Sequence, residues 1–480
     1  MLVLSLCALA VEAEEKSPYL QIGVFSDKAT ATTIRQQLES SGFNVEQRKM
    51  MLIGRPAIIV LVGPYAHASQ AGKDQQRLRE IGWSTTIKRY PELPKPKPST
   101  FRASVSGSVV AEVRGFSDDA LYSTEQHDTT ASLALKPEFY LGWNKRKSSL
   151  LFVPFVRAGD KDDERNHADV RELMWLNVLG DFELRLGVGK VFWGVTESLH
   201  LVDVINQADL VENPDGEDKL GQPMVALSWF SDWGSWEAFA LPMFRERTFP
   251  GLKGRLRGPL LVDTEQDALY ESVDKDKHLD WAVRWSHYIG DWDIALSHFS
   301  GTNREPVLED IGLNALGQLV IIPRYNLMRQ TGLTLQGLFG DLALKLEATS
   351  TEEKNTHYTE AVAGFEYTHV GLFDTAMDVG LLMEYLYDER GKASPSPFED
   401  DVMLGLRWVL NDMQSTEILM ASIFDRDTSA RSSVIEASRR LGQSWKLSLE
   451  YRGSSGLDVT DPGYLFRNDN YTQLELGYFF

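Results

Sequence analysis

Two units in series are predicted: a small α+β sandwich of βαββαβ order over residues 17–90, then an antiparallel transmembrane β-barrel over residues 100–480, with 18 strands and 16 as the alternative. Three observations predict them. The stretch from Tyr19 to Tyr90 repeats itself at a spacing of about 40 residues. From Phe101 onward, segment after segment alternates apolar and polar residues, with no sustained helical period. Along that region short links alternate with long polar ones, and the chain ends YTQLELGYFF, apolar at alternate positions to its last residue.

A chain of 480 residues exceeds what one core usually organises. Its first residues, MLVLSLCALAVEA, are an apolar run ending in the small residues an export peptidase needs, although the basic flank is missing. Residues 1–13 are therefore read as a signal peptide. Cys7, the only cysteine, lies inside it, so the mature chain would hold no thiol, which fits an oxidising compartment reached without disulfides. Beyond residue 13 the longest apolar run is Ala57 to Val62, far short of the roughly 20 residues of a membrane helix. A membrane span would have to be made of strands.

In the repeat, Gly23 matches Gly63, Phe25 matches Tyr65, Leu38 matches Leu78, Gly42 matches Gly82 and Phe43 matches Trp83. Each half reads as an apolar strand, a helix with Ala31, Ile34 and Leu38 (or Ala68, Ala71 and Leu78) on one face, and a Gly-aromatic turn into a second strand. Two such halves imply a ferredoxin-like sandwich with one sheet face under helices and the other open. From Ser17 to Ser99 there are 12 basic and 6 acidic residues, against a net charge of −20 for the whole chain.

This stretch resembles a SPOR domain, through Tyr19-Leu20-Gln21-Ile22-Gly23-Val24-Phe25 in the first half and Val60-Leu61-Val62-Gly63-Pro64-Tyr65 in the second. The resemblance implies binding of peptidoglycan glycan strands stripped of stem peptides, on the open sheet face. By motif match it assigns Gln21, Phe25 and Tyr65 to that peptidoglycan-binding surface; Ser26 stands where family members often have Ala or Gly. The chemistry is coherent, since sugar rings stack on aromatic faces, an amide can both donate to and accept from acetamido groups, and a basic balance suits an anionic polymer. Residues 91–99 follow as a Pro/Lys linker, with prolines at 91, 94, 96 and 98 making a semi-rigid spacer of roughly 25 Å.

In the second unit Trp445, Leu447, Leu449 and Tyr451 oppose Lys446, Ser448, Glu450 and Arg452, and Leu342, Leu344 and Leu346 oppose Lys345 and Glu347. A soluble sandwich could alternate in the same way, so turn lengths decide. Short links at 144–147, 180–181, 232–234, 290–291, 340–341, 373–374, 411–414 and 442–444 alternate with long ones that include 159–166, 195–222 and 245–278. Counting strands between them yields 18, with both barrel ends on the short-turn side; the stretch 318–338 can be divided in two ways, hence 16. The ending resembles the C-terminal signal of bacterial outer-membrane proteins, which implies recognition of Phe480 by the barrel assembly machinery. Tyr385, Tyr387, Trp408, Trp445, Tyr451, Tyr478 and Phe480 would form aromatic girdles against outer-membrane lipid. The expected location is the outer membrane, with the N-terminal domain in the periplasm.

Inward positions carry both signs: Arg185, Arg284, Lys345, Arg407, Lys446 and Arg452 against Glu347, Glu384, Glu450 and Glu475. The stretch from Arg185 to Leu210 resembles the Arg-x-Gly-x-x-Lys…Trp-Gly strand of substrate-selective porin families, and Arg185, Lys190 and Trp193 are the candidates for a lumen patch. Leu199 to Leu210 reads as an amphipathic turn or short helix able to fold into the mouth as a constriction. No set of nucleophile, histidine and acid stands out, nor any metal-ligand spacing, so no enzyme activity, metal or cofactor is expected. A net charge of −20 leaves no basic footprint for nucleic acid. The function expected is a porin-like channel tethered to peptidoglycan, with a non-conducting structural anchor as the alternative.

Overall fold

The computed structural model describes residues 16–25, 28–52, 55–91, 101–122 and 126–480, which fall into two compact units that divide after Ser99. The predicted signal peptide, and the predicted linker beyond Pro91, lie outside the described residues.

The first unit runs β1 (Lys16–Phe25), α1 (Lys28–Ser40), β2 (Val45–Leu52), β3 (Arg55–Val62), α2 (Ala68–Glu80) and β4 (Thr86–Pro91). Its antiparallel sheet has the order β2-β3-β1-β4, so the two halves of the repeat interlock through the central pair β3-β1. The repeated small and apolar positions do the packing. Ala31 and Leu38 of α1, and Ala71 and Leu78 of α2, are buried on Leu20, Val45, Val60 and Val62. The other sheet face carries Tyr19, Ile59, Leu61 and Val24, with the Arg48 guanidinium 4.9 Å from the Tyr19 ring centroid.

The second unit is a closed antiparallel barrel of 18 strands. They are β5 (Phe101–Phe116), β6 (Thr129–Trp143), β7 (Ser148–Gly159), β8 (His167–Leu179), β9 (Phe182–Gly189), β10 (Gln222–Ser231), β11 (Gly234–Leu241), β12 (Asp280–Ile289) and β13 (Trp292–Thr302). The remainder are β14 (Leu327–Phe339), β15 (Leu342–Glu353), β16 (Thr356–His369), β17 (Asp378–Asp388), β18 (Asp400–Val409), β19 (Glu417–Asp425), β20 (Arg431–Leu441), β21 (Trp445–Ser455) and β22 (Tyr471–Phe479). Closure pairs the last strand with the first, from Tyr471 opposite Phe116 to Phe479 opposite Ser108. Closure removes the unpaired edges that hydrocarbon cannot satisfy.

Each of the eight expected short links joins two neighbouring wall strands, but two are longer than expected, 370–377 in place of 373–374 and 410–416 in place of 411–414. Gly290 and Gly340 open two-residue Gly-Asp turns at φ 61° and 63°, the left-handed conformation a tight hairpin demands. The ambiguous stretch resolves into a short loop strand at Leu319–Ile321, paired with Leu261–Val262 and Ile311–Leu313, and the single wall strand β14. That outcome selects 18 over 16. The terminal strand shows the alternation in full: Leu474 is 48% exposed on the outer face, whereas Gln473 is 4% exposed inside. Trp445 and Tyr478 touch at 5.0 Å between ring centroids at the short-turn end.

Candidate functional site: the lumen and the segment that crosses it

The connection between β9 and β10, residues 190–221, folds into the barrel. It is held on several sides by wall residues far away in sequence. On β15, the buried Glu347 carboxylate accepts from Val195 N (2.6 Å), Thr196 N (3.1 Å), Thr196 Oγ1 (2.7 Å) and Val202 N (3.3 Å). On β17, Glu384 accepts from Glu197 N (2.8 Å), Ser198 N (2.8 Å) and Ser198 Oγ (2.6 Å). The Glu197 carboxylate in turn pairs with Arg407 (2.7 Å) and lies 3.9 Å from Lys345 Nζ. Gly194 lets this turn close, because a Cβ there would lie 2.5 Å from His200 Nδ1 and 3.1 Å from Glu347 Oε1.

The later part of the segment is clamped to other strands. Glu212 pairs with Arg157 of β7 (2.7 Å), and Arg157 also reaches Glu112 of β5 (3.0 Å), which takes Arg165 as well (2.6 Å). Asp209 pairs with Arg171 of β8 (2.6 Å) and Asp215 with Arg452 of β21 (2.6 Å). Apolar contacts fill the rest: Trp193, Val202 and Ile205 pack on Met224, Ala226, Phe239, Leu241, Ala282, Phe299 and Met328 of the β10–β14 wall. Leu199 and Leu201 pack on the cluster of Leu382, Leu386 and Met403.

No helix forms over Leu199 to Leu210; turns and bends take its place. Neighbouring N–H groups that a helix would bond internally are given to Glu347 and Glu384 instead, and the apolar side chains serve two different walls rather than one face.

Of the residues picked out in the sequence, Lys345, Glu347, Glu384, Arg407 and Arg452 all hold this segment. Glu450 accepts from Arg452 (2.7 Å) and from Tyr471 Oη (2.6 Å). Trp193 is 4% exposed, a residue of the segment packed on the wall. Arg185 pairs with Glu237 (2.8 Å) and lies over Phe239 (5.6 Å), and Arg284 approaches the same carboxylate (3.7 Å). Lys190 is exposed where β9 ends. Sequence reasoning missed Glu112, Arg157, Arg165, Arg171, Asp209 and Glu212. Each is a single charge in a strand or a connection, and the partners that pair it lie tens of residues away in sequence, brought to it only by the folding of the segment and the loops into the barrel.

Between the segment and the wall strands β18–β22 there is open space. A cavity of about 320 Å³ is lined by Arg407, Glu417, Glu436, Lys446, Glu450 and Glu475, among others. It shares Glu197, Leu419 and Glu436 with a second cavity of about 700 Å³ that extends to Asp215, Arg452 and Ser454. The second shares Phe398, Ile423 and Ser432 with a third of about 400 Å³, which reaches Asp461 and Phe466 in the loops. Arg185 and Arg284 line none of the three. On the wall, β9 is seven strands from β20.

His167, Asp209 and Glu212 bring three potential metal-ligating atoms within 4.8 Å of one another. Both carboxylates already carry a guanidinium, from Arg171 and Arg157, so the positive charge a metal ion would supply is present and the group is an ion-pair node.

In the first unit, Gln21 is half-buried, before the irregularity in the β1–β3 pairing between Gln21 and Gly23. Phe25 and Tyr65 pack against the cluster under the helices, and Tyr65 Oη donates to Asp74 of α2 at 2.9 Å. Their expected position on the open face is corrected by that geometry. Strict alternation would put Tyr19, Gln21, Gly23 and Phe25 on one side, but the extra residue at the bulge turns Phe25 to the other.

Residues 14–84 match the family model of the SPOR domain. No curated protein matches the chain by sequence. Among solved structures, OccK11 (OpdR) of Pseudomonas aeruginosa is similar at 11% identity, over 79% of this chain and 95% of that one, with a TM-score of 0.45. A mutant of the Rh. blastica porin is similar at 10% identity, over 79% and 100%, with a TM-score of 0.38. Wzi of Escherichia coli, an outer-membrane, carbohydrate-binding β-barrel involved in group 1 capsule assembly, is similar at 9% identity, over 77% and 83%, with a TM-score of 0.45. The chain carries a SPOR domain at residues 14–84, followed by a closed 18-stranded β-barrel that resembles outer-membrane porins.

Proposed function

We propose that the barrel is an outer-membrane channel for small solutes and that the SPOR domain holds it to the glycan strands of peptidoglycan. The observation that carries the channel reading is the row of adjoining cavities along β18–β22, which runs from the level of Lys446 and Glu475 near the short turns to Asp461 in the loops. The inserted segment narrows the lumen: it packs closely on the β10–β14 wall and touches β18–β21 at Glu197, Asp215, Leu199 and Leu201, with open space between those contacts. An outer face of exposed Leu, Val and aromatic side chains suits lipid. Both ends of the barrel lie on the short-turn side, which this reading turns toward the periplasm.

A second reading, a structural anchor that conducts nothing, draws on the ion pairs that tie residues 190–221 to strands around the wall. Purified protein in a planar bilayer separates the two. Discrete conductance steps are expected for a channel, and a folded barrel that inserts without current leaves only the anchor. Cosedimentation of the full chain with purified sacculi, lost when residues 17–90 are removed, is the expected result for the tether.

A further inference from the structure

We infer that the passage beside the inserted segment selects organic cations that carry an apolar body. The inference rests on the channel reading and names the solute class. Inward positions of a barrel that encloses water are ordinarily polar. On β18–β20 that polarity is interrupted, because Met403, Leu419, Ala421, Ile423 and Val434 form an apolar band on the lumen side. Leu199 and Leu201 of the inserted segment belong to the same cluster. The band still lines the cavity of about 700 Å³, where Phe192 and Phe398 add two aromatic rings.

Carboxylates outnumber basic groups on both sides of this band, with Arg407 and Lys446 toward the short turns and Arg247 and Arg431 toward the loops as the minority. Glu197 and Glu436 lie toward the short turns, and Asp215, Glu217, Asp401 and Asp425 toward the loops. Seven carboxylates line the two adjoining spaces nearer the short turns, of about 320 and 700 Å³, against three lysine or arginine side chains and His200. Most of those basic groups are already engaged. Arg452 is held by Asp215, Glu436 and Glu450, Arg407 by Glu197, Glu366 and Glu417, and His200 lies 3.3 Å from Glu217. In a narrow passage with low-dielectric walls, an excess of fixed negative charge raises cation occupancy and excludes anions. The apolar band adds favourable contact for a hydrocarbon or aromatic body, and an inorganic ion gains nothing from it.

The test uses the full-length protein in planar bilayers, with a KCl gradient and three probes: benzyltrimethylammonium, tetramethylammonium and benzoate. The reversal potential should show potassium favoured over chloride. Benzyltrimethylammonium should reduce the potassium current at about tenfold lower concentration than either of the other probes, as expected when charge and apolar contact act together. Glu436→Gln combined with Glu475→Gln should lower the potassium-to-chloride permeability ratio about twofold or more. Phe398→Ala, which leaves the charges in place, should keep the cation preference and remove the advantage of the benzyl group. A folded barrel with no current overturns the channel reading and this inference together. A conducting barrel that favours chloride, or is blocked equally by benzoate and benzyltrimethylammonium, overturns the inference alone. Equal block by tetramethylammonium and benzyltrimethylammonium removes the apolar body from it.

Discussion

Glu347 satisfies three backbone N–H groups and a hydroxyl of the inserted segment from one buried carboxylate. Removing it leaves donors unpaired in a site closed to water, at about 1–3 kcal/mol for each. Glu347→Ala is therefore expected to loosen the segment, seen in single-channel records as larger and noisier current, while Glu347→Gln, which keeps an acceptor, changes it less. In the small domain, Phe25→Ala should cost about 2–3 kcal/mol, because the ring is half-buried under the helices. Urea unfolding of the isolated domain measures that loss. Gln21→Ala should stay folded and weaken cosedimentation with peptidoglycan; a variant that binds as the parent does would remove Gln21 from the glycan surface. The motif made Phe25 and Gln21 visible, but the bulge that sends their side chains apart has no mark in the sequence, because any residue can occupy it.

At the scale of elements, strands and turns were legible and the inserted segment was legible only in part. Period-two alternation and Gly-Asp turns depend on neighbouring residues, so sequence displays them directly. That Leu199 to Leu210 could fold into the mouth was read from the long connection around it, the glycines before it and the inward basic residues of Arg185 to Leu210. Its conformation did not follow, since its partners are wall residues as distant as Glu347, Glu384 and Arg452. Deleting Leu199 to Leu210 should raise single-channel conductance, because these residues occupy lumen volume against β10–β14 and β16–β20. Conductance equal to that of the parent would place the narrowest point elsewhere. Glu212→Gln should act differently. It disturbs the buried Glu112–Arg157–Glu212 network, at about 3–5 kcal/mol, and should lower the temperature at which the barrel band shifts on unboiled gels.

For the molecule as a whole, closure of β22 on β5 requires heat-modifiable migration, with the unboiled protein running apart from the boiled one, and recovery from the membrane fraction. The central claim is narrower: solutes cross along β18–β22, and do not pass between the inserted segment and the β10–β14 wall on which it packs. Single cysteines test it directly, in a background with Cys7 replaced by serine. Ser448→Cys lines the lower cavity, whereas Ala226→Cys lies beneath the segment. During bilayer recording, a positively charged methanethiosulfonate reagent should cut the current of the Ser448→Cys channel within minutes and leave the Ala226→Cys channel unchanged. Block at Ala226→Cys with an unaffected Ser448→Cys channel would contradict the account.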